Sequence, residues 1–78
     1  MSLQPSQKAL IELAYAKMYF GKYKGYFLSD VPEYYFVWYR QKGFPAGTTG
    51  EQMQQVYELK VNGMEQLLRE IRKRYPKP

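Results

Sequence analysis

Apolar residues recur at helical spacing in the first part of the chain. Beginning near Pro5, pairs of apolar residues are separated by three or four positions, so they lie on one side of a helix. The stripe consists of Leu10, Ile11, Leu13, Ala14 and Tyr15. This spacing is typical of an amphipathic helix that packs one face on a core, and it predicts a first helix.

Two aromatic triplets then flank a short segment that begins and ends with glycine. The triplets are residues 18–20 and 26–28, and the segment between them is residues 21–25. Aromatic residues favour strands, and glycine takes positive φ values at no steric cost. The pattern predicts a short β-hairpin. Because two strands alone are marginal in water, we expect the hairpin to lie on the helices.

A second helix is predicted from the residues around Pro32. Asp30 is placed as its N-cap, Pro32 in the first turn, and Glu33 three residues after the cap. The helix is rich in aromatic residues and runs to about Lys42. Gly43 suits the left-handed position after a helix end, so we expect the helix to stop there.

A third helical segment follows a loop at residues 46–50. Thr48 with Glu51, or Thr49 with Gln52, has the spacing of a capping box. Its apolar stripe keeps helical phase almost to the C-terminus, through Met53, Val56, Tyr57, Val61, Met64, Leu67, Leu68 and Ile71. Glycine costs roughly 1 kcal/mol inside a helix, and Asn62 with Glu65 is spaced to cap a fresh helix, so Gly63 predicts a kink or short break.

These elements predict one α+β domain that spans residues 1–78 and is ordered from about residue 5 to residue 74. Its parts are an N-terminal helix, a short β-hairpin, an aromatic helix and a long, kinked C-terminal helical segment. A chain of 78 residues has room for one hydrophobic core.

The composition argues against catalysis and against cofactors. The chain has no Cys and no His, which excludes disulfides and almost every zinc, copper or haem site. No His is present to activate a hydroxyl. The nearest carboxylate pair outside the C-terminal segment, Asp30 with Glu33, fits helix capping better than acid and base catalysis. We therefore expect a protein that is not an enzyme, with no catalytic residue, no metal and no cofactor.

Positive charge is concentrated at the C-terminal end. Residues 1–68 hold seven Lys and Arg against six Asp and Glu, whereas residues 69–78 hold five against one. Clustered cations are a common feature of nucleic-acid binding, and they also interact favourably with a helix C-terminus without any ligand. Two interpretations therefore stay open for Arg69, Arg72, Lys73 and Arg74: phosphate contacts, or a solvated helix end.

The glycine-bracketed segment offers a second basic site. Lys22 and Lys24 are two apart on an extended segment, so both point to one side and are placed to hold a nucleic-acid backbone, with Tyr23 as a stacking ring. The alternative is a turn whose lysines stay in water and protect an edge strand. The spacing does not match a phosphate-binding P-loop.

The aromatic helix has more large rings than a core of this size can bury. Tyr35 and Trp38 lie on one face with Val31, and we expect them to pack in the core. Tyr34 and Tyr39 are expected to be exposed, where they suit a protein interface or base stacking. No signal peptide or membrane-spanning run is apparent, so we expect a cytoplasmic protein that does not bind membranes.

Several of these motifs carry a family resemblance. The residues are Phe20-Gly21-Lys22-Tyr23-Lys24-Gly25, followed by Leu28, Asp30, Pro32, Tyr35, Trp38 and Lys42-Gly43-Phe44-Pro45, and then residues 57–65. The chain resembles a small bacterial family described as putative quorum-sensing-regulated virulence factors, formerly a domain of unknown function. The FGKYKG segment is also similar to one in a small C-terminal domain of some DNA exonucleases, which implies a nucleic-acid setting by analogy.

The sequence therefore predicts a small binding module that acts without catalysis. Its first predicted ligand is DNA or RNA, held by the two basic regions and an exposed tyrosine. The alternative is a protein partner or a homodimer that covers the exposed aromatic surface.

Overall fold

The computed structural model describes residues 5–77, and in this range it contains helices and one isolated β-bridge but no strand. The elements are α1 (Pro5–Tyr15), a 3₁₀ turn (Leu28–Asp30), α2 (Glu33–Lys42), α3 (Thr48–Val61) and α4 (Glu65–Arg74). The predicted α+β class is therefore wrong, and the described part of the chain is all-helical.

The predicted β-hairpin is instead a loop that closes on itself. The Met18 amide donates to the Tyr26 carbonyl at 2.9 Å, the Gly25 amide donates to the Met18 carbonyl at 2.8 Å, and the bridge joins Lys17 to Phe27. Between these bonds the chain makes tight turns, and the rings of the loop contact α2 instead of a neighbouring strand. Strand propensity depends on such packing, so the aromatic triplets do not form a ladder here.

Two helix pairs enclose the core. α1 packs against α4, α2 packs against α3, and the 3₁₀ turn contacts α1, α3 and α4. Because the turn lies between the pairs, its Leu28 and the following Val31 are fully buried. The core cluster comprises Leu13, Ala14, Ala16, Met18, Leu28, Val31, Phe36, Met53, Val56 and Leu68.

The helix ends differ from the predicted caps. The N-cap positions of α2 and α3 are Pro32 and Gly47, and neither makes a side-chain capping bond. Asp30 does not cap α2, because it ends the 3₁₀ turn two residues before the N-cap position; its carboxylate accepts a hydrogen bond from Arg69. Gly43 does follow α2 with a φ of 100°, as predicted.

The expected break in the C-terminal segment is present at Gly63. The Gly63 amide donates to the Lys60 carbonyl at 3.0 Å, and the Met64 amide donates to the Leu59 carbonyl at 2.7 Å. This pair of bonds, with Gly63 at a φ of 69°, is a Schellman motif that ends α3. Asn62 closes α3 and does not cap α4, since its side-chain amide donates back to a carbonyl of α3.

Three cationic side chains converge on the 3₁₀ turn. The Ser29 carbonyl accepts hydrogen bonds from Lys60 Nζ at 2.6 Å and from Arg69 Nη2 at 3.0 Å. Arg69 Nε also pairs with Asp30 Oδ1 at 2.9 Å. Lys60 is 9% exposed, and burial lowers its pKa. These contacts fasten α3 and α4 to the turn.

Arg72 extends this network to α1. Its Nη1 donates to the Ala14 carbonyl at 2.5 Å and to the Ser29 hydroxyl at 3.0 Å, and its guanidinium lies 4.0 Å from the centre of the Phe27 ring. Hydrogen bonds from a charged donor to partly buried acceptors contribute more than neutral ones. Arg72 therefore joins α4, α1 and the 3₁₀ turn.

Replacing Arg72 with Met should lower the free energy of unfolding by about 2 to 4 kcal/mol, because two partly buried acceptors lose their donor. The matched control is Lys73→Met, the next residue on α4, whose side chain is 71% exposed. It should stay within about 0.5 kcal/mol of the parent protein. Urea unfolding followed by circular dichroism measures both. Equal losses in the two variants would show that Arg72 has no special structural role.

Candidate functional site

An open groove lined by aromatic rings lies between α2 and the loop at residues 20–25, called the FGKYKG loop below. Its volume is about 340 Å³, and its lining residues are Lys22, Tyr34, Tyr35, Trp38 and Tyr39. We call it the aromatic groove. Sites for small ligands begin at roughly 300 Å³, so the volume of the groove is in the range of ligand-binding sites. Its walls are mainly carbon, and Lys22 is its one charged lining residue in the described part of the chain.

The FGKYKG loop reaches α2 because of Gly21. Gly21 has a φ of 76°, a conformation that favours glycine, and a Cβ built on it would overlap the Tyr35 hydroxyl. The Tyr23 ring follows and meets the Tyr35 ring edge to face, with 4.9 Å between the ring centres. The loop is thus held on α2 by a close backbone approach and by ring packing.

A second row of rings supports the groove from behind. Tyr35 and Tyr39 are half-buried, and their rings meet edge to face at 5.2 Å. Phe20 contacts Tyr39 from the loop side in the same way, at 6.1 Å. Burial raises the pKa of Tyr39, and the neighbouring Tyr35 hydroxyl raises it further.

The hydroxyls of Tyr23 and Tyr34 form a hydrogen bond at the rim of the groove. This bond is the main cause that raises the pKa of Tyr23 to about 12 and lowers the pKa of Tyr34. The nearby Lys22 ammonium also lowers the pKa of Tyr34. Of these two tyrosines, Tyr34 therefore presents the more acidic hydroxyl, beside the Lys22 ammonium.

Both lysines of the loop are exposed, which agrees equally with a ligand site and with a turn whose lysines stay in water. Lys22 Nζ lies 5.6 Å from the centre of the Tyr23 ring, at the groove. Lys24 does not line the groove, because both lysines lie in one tight turn at residues 22–25 and not on the extended segment that was predicted. The structure thus brings Lys22, Tyr23 and Tyr34 together, as part of the predicted site.

The C-terminal cations divide into two groups. The guanidinium groups of Arg69 and Arg72 are bound to the 3₁₀ turn, and Arg72 is also bound to α1. Lys73 and Arg74 are exposed at the end of α4. The predicted basic cluster therefore presents fewer available charges than its sequence indicates.

The exposure of the α2 rings differs from the prediction at two positions. Tyr34 is exposed as expected, whereas Tyr39 is half-buried. Trp38, expected in the core, is 50% exposed and lines the groove. Sequence reasoning missed Trp38 as a site residue, although its spacing of four from Tyr34 places the two rings on one helix face.

The family model for putative quorum-sensing-regulated virulence factors matches residues 6–71. The chain belongs to this family. The resemblance seen in the FGKYKG segment is thereby confirmed, and the match includes both the loop and all of α2.

Two proteins similar to this chain come from Escherichia coli. The chain is 44% identical over 68 residues to the uncharacterized protein YpeB of strain K12 and, equally, to that of O157:H7. Each alignment covers 86% of this chain and 94% of the relative. No solved structure gave a significant match.

The helices and the carboxylates of the described residues bear on membranes and metals. Within residues 5–77, no helix has the length and apolar character needed to cross a bilayer. The same residues contain no group of three or more carboxylates placed to hold a metal ion.

Exchanging Gly21 for Ala should destabilise the protein more than exchanging Gly25 for Ala. Both glycines have positive φ, which costs an L-residue about 1 to 2 kcal/mol, but a Cβ at Gly25 meets nothing within 4 Å. Only the Gly21 variant adds the overlap with Tyr35. In a Tyr35→Phe background, which removes the overlapping oxygen, the excess cost of Gly21→Ala should shrink. Thermal unfolding of Gly21→Ala and Gly25→Ala, each in the original and in the Tyr35→Phe protein, tests this. If Gly21→Ala costs as much more than Gly25→Ala in both backgrounds, the contact with the Tyr35 hydroxyl is contradicted.

Proposed function

We propose that this protein is a non-enzymatic module that binds nucleic acid through the aromatic groove and the lysines of the FGKYKG loop. The observation that supports the proposal is the composition of the groove, in which flat apolar ring surfaces stand beside the single ammonium group of Lys22. Aromatic platforms next to cations are the usual means of holding bases and phosphates together. The proposal includes a cytoplasmic location, where such a ligand is available.

The net charge of the segment that carries the loop and α2 also favours a polyanion. Residues 16–47, which contain the loop and α2, hold five Lys and Arg against two carboxylates. Asp30, one of those carboxylates, is already paired with Arg69. Lys24 adds a second exposed cation beside Lys22, and Lys73 and Arg74 are further candidates for phosphate contacts.

The second candidate is a protein partner or a second copy of the chain. The exposure of Tyr26, Tyr34 and Trp38 favours it, because large rings are enriched at protein interfaces. The two functions differ in their response to salt. Phosphate contacts weaken steeply as ionic strength rises, whereas an aromatic interface changes little.

Oligonucleotide binding, measured by Trp38 fluorescence at two salt concentrations, tests the proposal. We expect binding at low salt. The logarithm of the binding constant should fall linearly with the logarithm of the salt concentration, with a slope of about −0.7 for each phosphate of a single strand that is neutralised. Lys22→Glu should weaken binding and reduce this slope.

Lys8→Glu is the matched control, since it makes the same change in net charge on the exposed side of α1. It should leave affinity nearly unchanged. The proposal fails if the parent protein binds no oligonucleotide at low salt. It also fails if the two variants weaken binding equally, because net charge alone would then explain the effect.

A further inference from the structure

The two exposed rings of α2 are spaced to contact two neighbouring planar groups of one ligand. Tyr34 and Trp38 are one helical turn apart, so their backbone positions differ by about 6 Å along the helix axis. They are 58% and 50% exposed, and both line the aromatic groove. Ring faces with this exposure are available for stacking by planar groups.

These outer rings are held in place before any ligand arrives. The Trp38 ring meets Tyr39 edge to face at 4.9 Å and 86°, and the Tyr34 ring meets Tyr23 at 6.4 Å and 69°. The inner rings are packed against the core. A preformed surface loses little side-chain entropy on binding, which favours affinity.

The position of Lys22 indicates where a phosphate would lie. Its ammonium is close enough to influence the Tyr34 hydroxyl, and the same side chain lines the groove with Trp38. No carboxylate of the described residues lines the groove to compete for this ammonium. Two planar rings joined by one negatively charged group would supply a ring for each exposed side chain and an anion for this ammonium.

Two neighbouring unpaired nucleotides have this chemistry. In a duplex each base is covered on both faces by its neighbours, so a ring platform cannot reach it, whereas bases of a single strand can splay out and stack on aromatic side chains. Resting on the proposed function, we infer that the aromatic groove stacks two successive unpaired bases on Tyr34 and Trp38, with Lys22 on the connecting phosphate. The module therefore selects single strands over duplexes.

The test uses the full chain and three labelled ligands of equal length: an oligothymidylate strand, the same strand with abasic interior positions, and a duplex. Fluorescence anisotropy at low salt gives the affinities. Because stacking on an aromatic side chain is worth a factor of roughly 5 to 150 per base, we expect the abasic strand to bind at least about fivefold more weakly than oligothymidylate. The duplex should also bind more weakly.

Side-chain variants test the same point independently. Trp38→Leu keeps an apolar side chain but removes the ring, so affinity for oligothymidylate should fall by a factor of roughly 5 to 150 while its salt slope is kept. Trp38→Phe should retain most of the affinity. Tyr19→Leu is the control, because Tyr19 is the most exposed large ring and lies outside the groove. Circular dichroism checks that each variant is folded.

The outcomes separate the two proposals. Equal binding of the abasic strand, or of the duplex, would overturn the stacking site while leaving an electrostatic nucleic-acid module. Unlabelled thymidine mononucleotide is added as a competitor, and displacement of the strand at equal concentration would also overturn the stacking site, in favour of a mononucleotide pocket. Absence of binding to every ligand would instead remove the proposed function itself.

Discussion

Gly21 approaches the Tyr35 hydroxyl so closely that no side chain fits between them, and this contact fixes where the FGKYKG loop lies on α2. With the loop in this position, the Tyr23 ring packs on the Tyr35 ring, and the Tyr23 hydroxyl forms a hydrogen bond with the Tyr34 hydroxyl. Lys22 then lines the groove. Packing against α2 therefore determines the path of the loop backbone, and that path determines which side chains line the groove. The same short motif therefore serves both the fold and the candidate site.

The cations of the chain perform two different tasks. Lys60, Arg69 and Arg72 donate to the 3₁₀ turn, which joins the two helix pairs, and their charges stabilise the fold. Lys22 and Lys24 are exposed on the loop and are available to a ligand. A count of positive charges near the C-terminus overstates the basic surface there, because it does not show which guanidinium groups are already bound within the protein.

The helices could be predicted because apolar spacing and glycine signals are local, and Gly63 marked the break between α3 and α4 correctly. The structure of residues 18–28 could not be predicted in this way. Distant contacts decide whether aromatic triplets pair as strands or pack on a helix. Asp30 is not a cap because it lies in the 3₁₀ turn, two residues before the N-cap position of α2, and it pairs instead with Arg69, 39 residues away. Trp38 was placed in the core because helical phase identifies shared faces without showing which face the core covers.

Chemical-shift mapping of the amide signals during titration with a short oligothymidylate tests the role of the loop and α2 most directly. The largest changes should occur at residues 20–26 and 34–39, with little change on α1, because the ligand is expected to meet the loop and the outer rings of α2. Changes confined to α1 and α4, with residues 20–26 and 34–39 silent, would contradict the account.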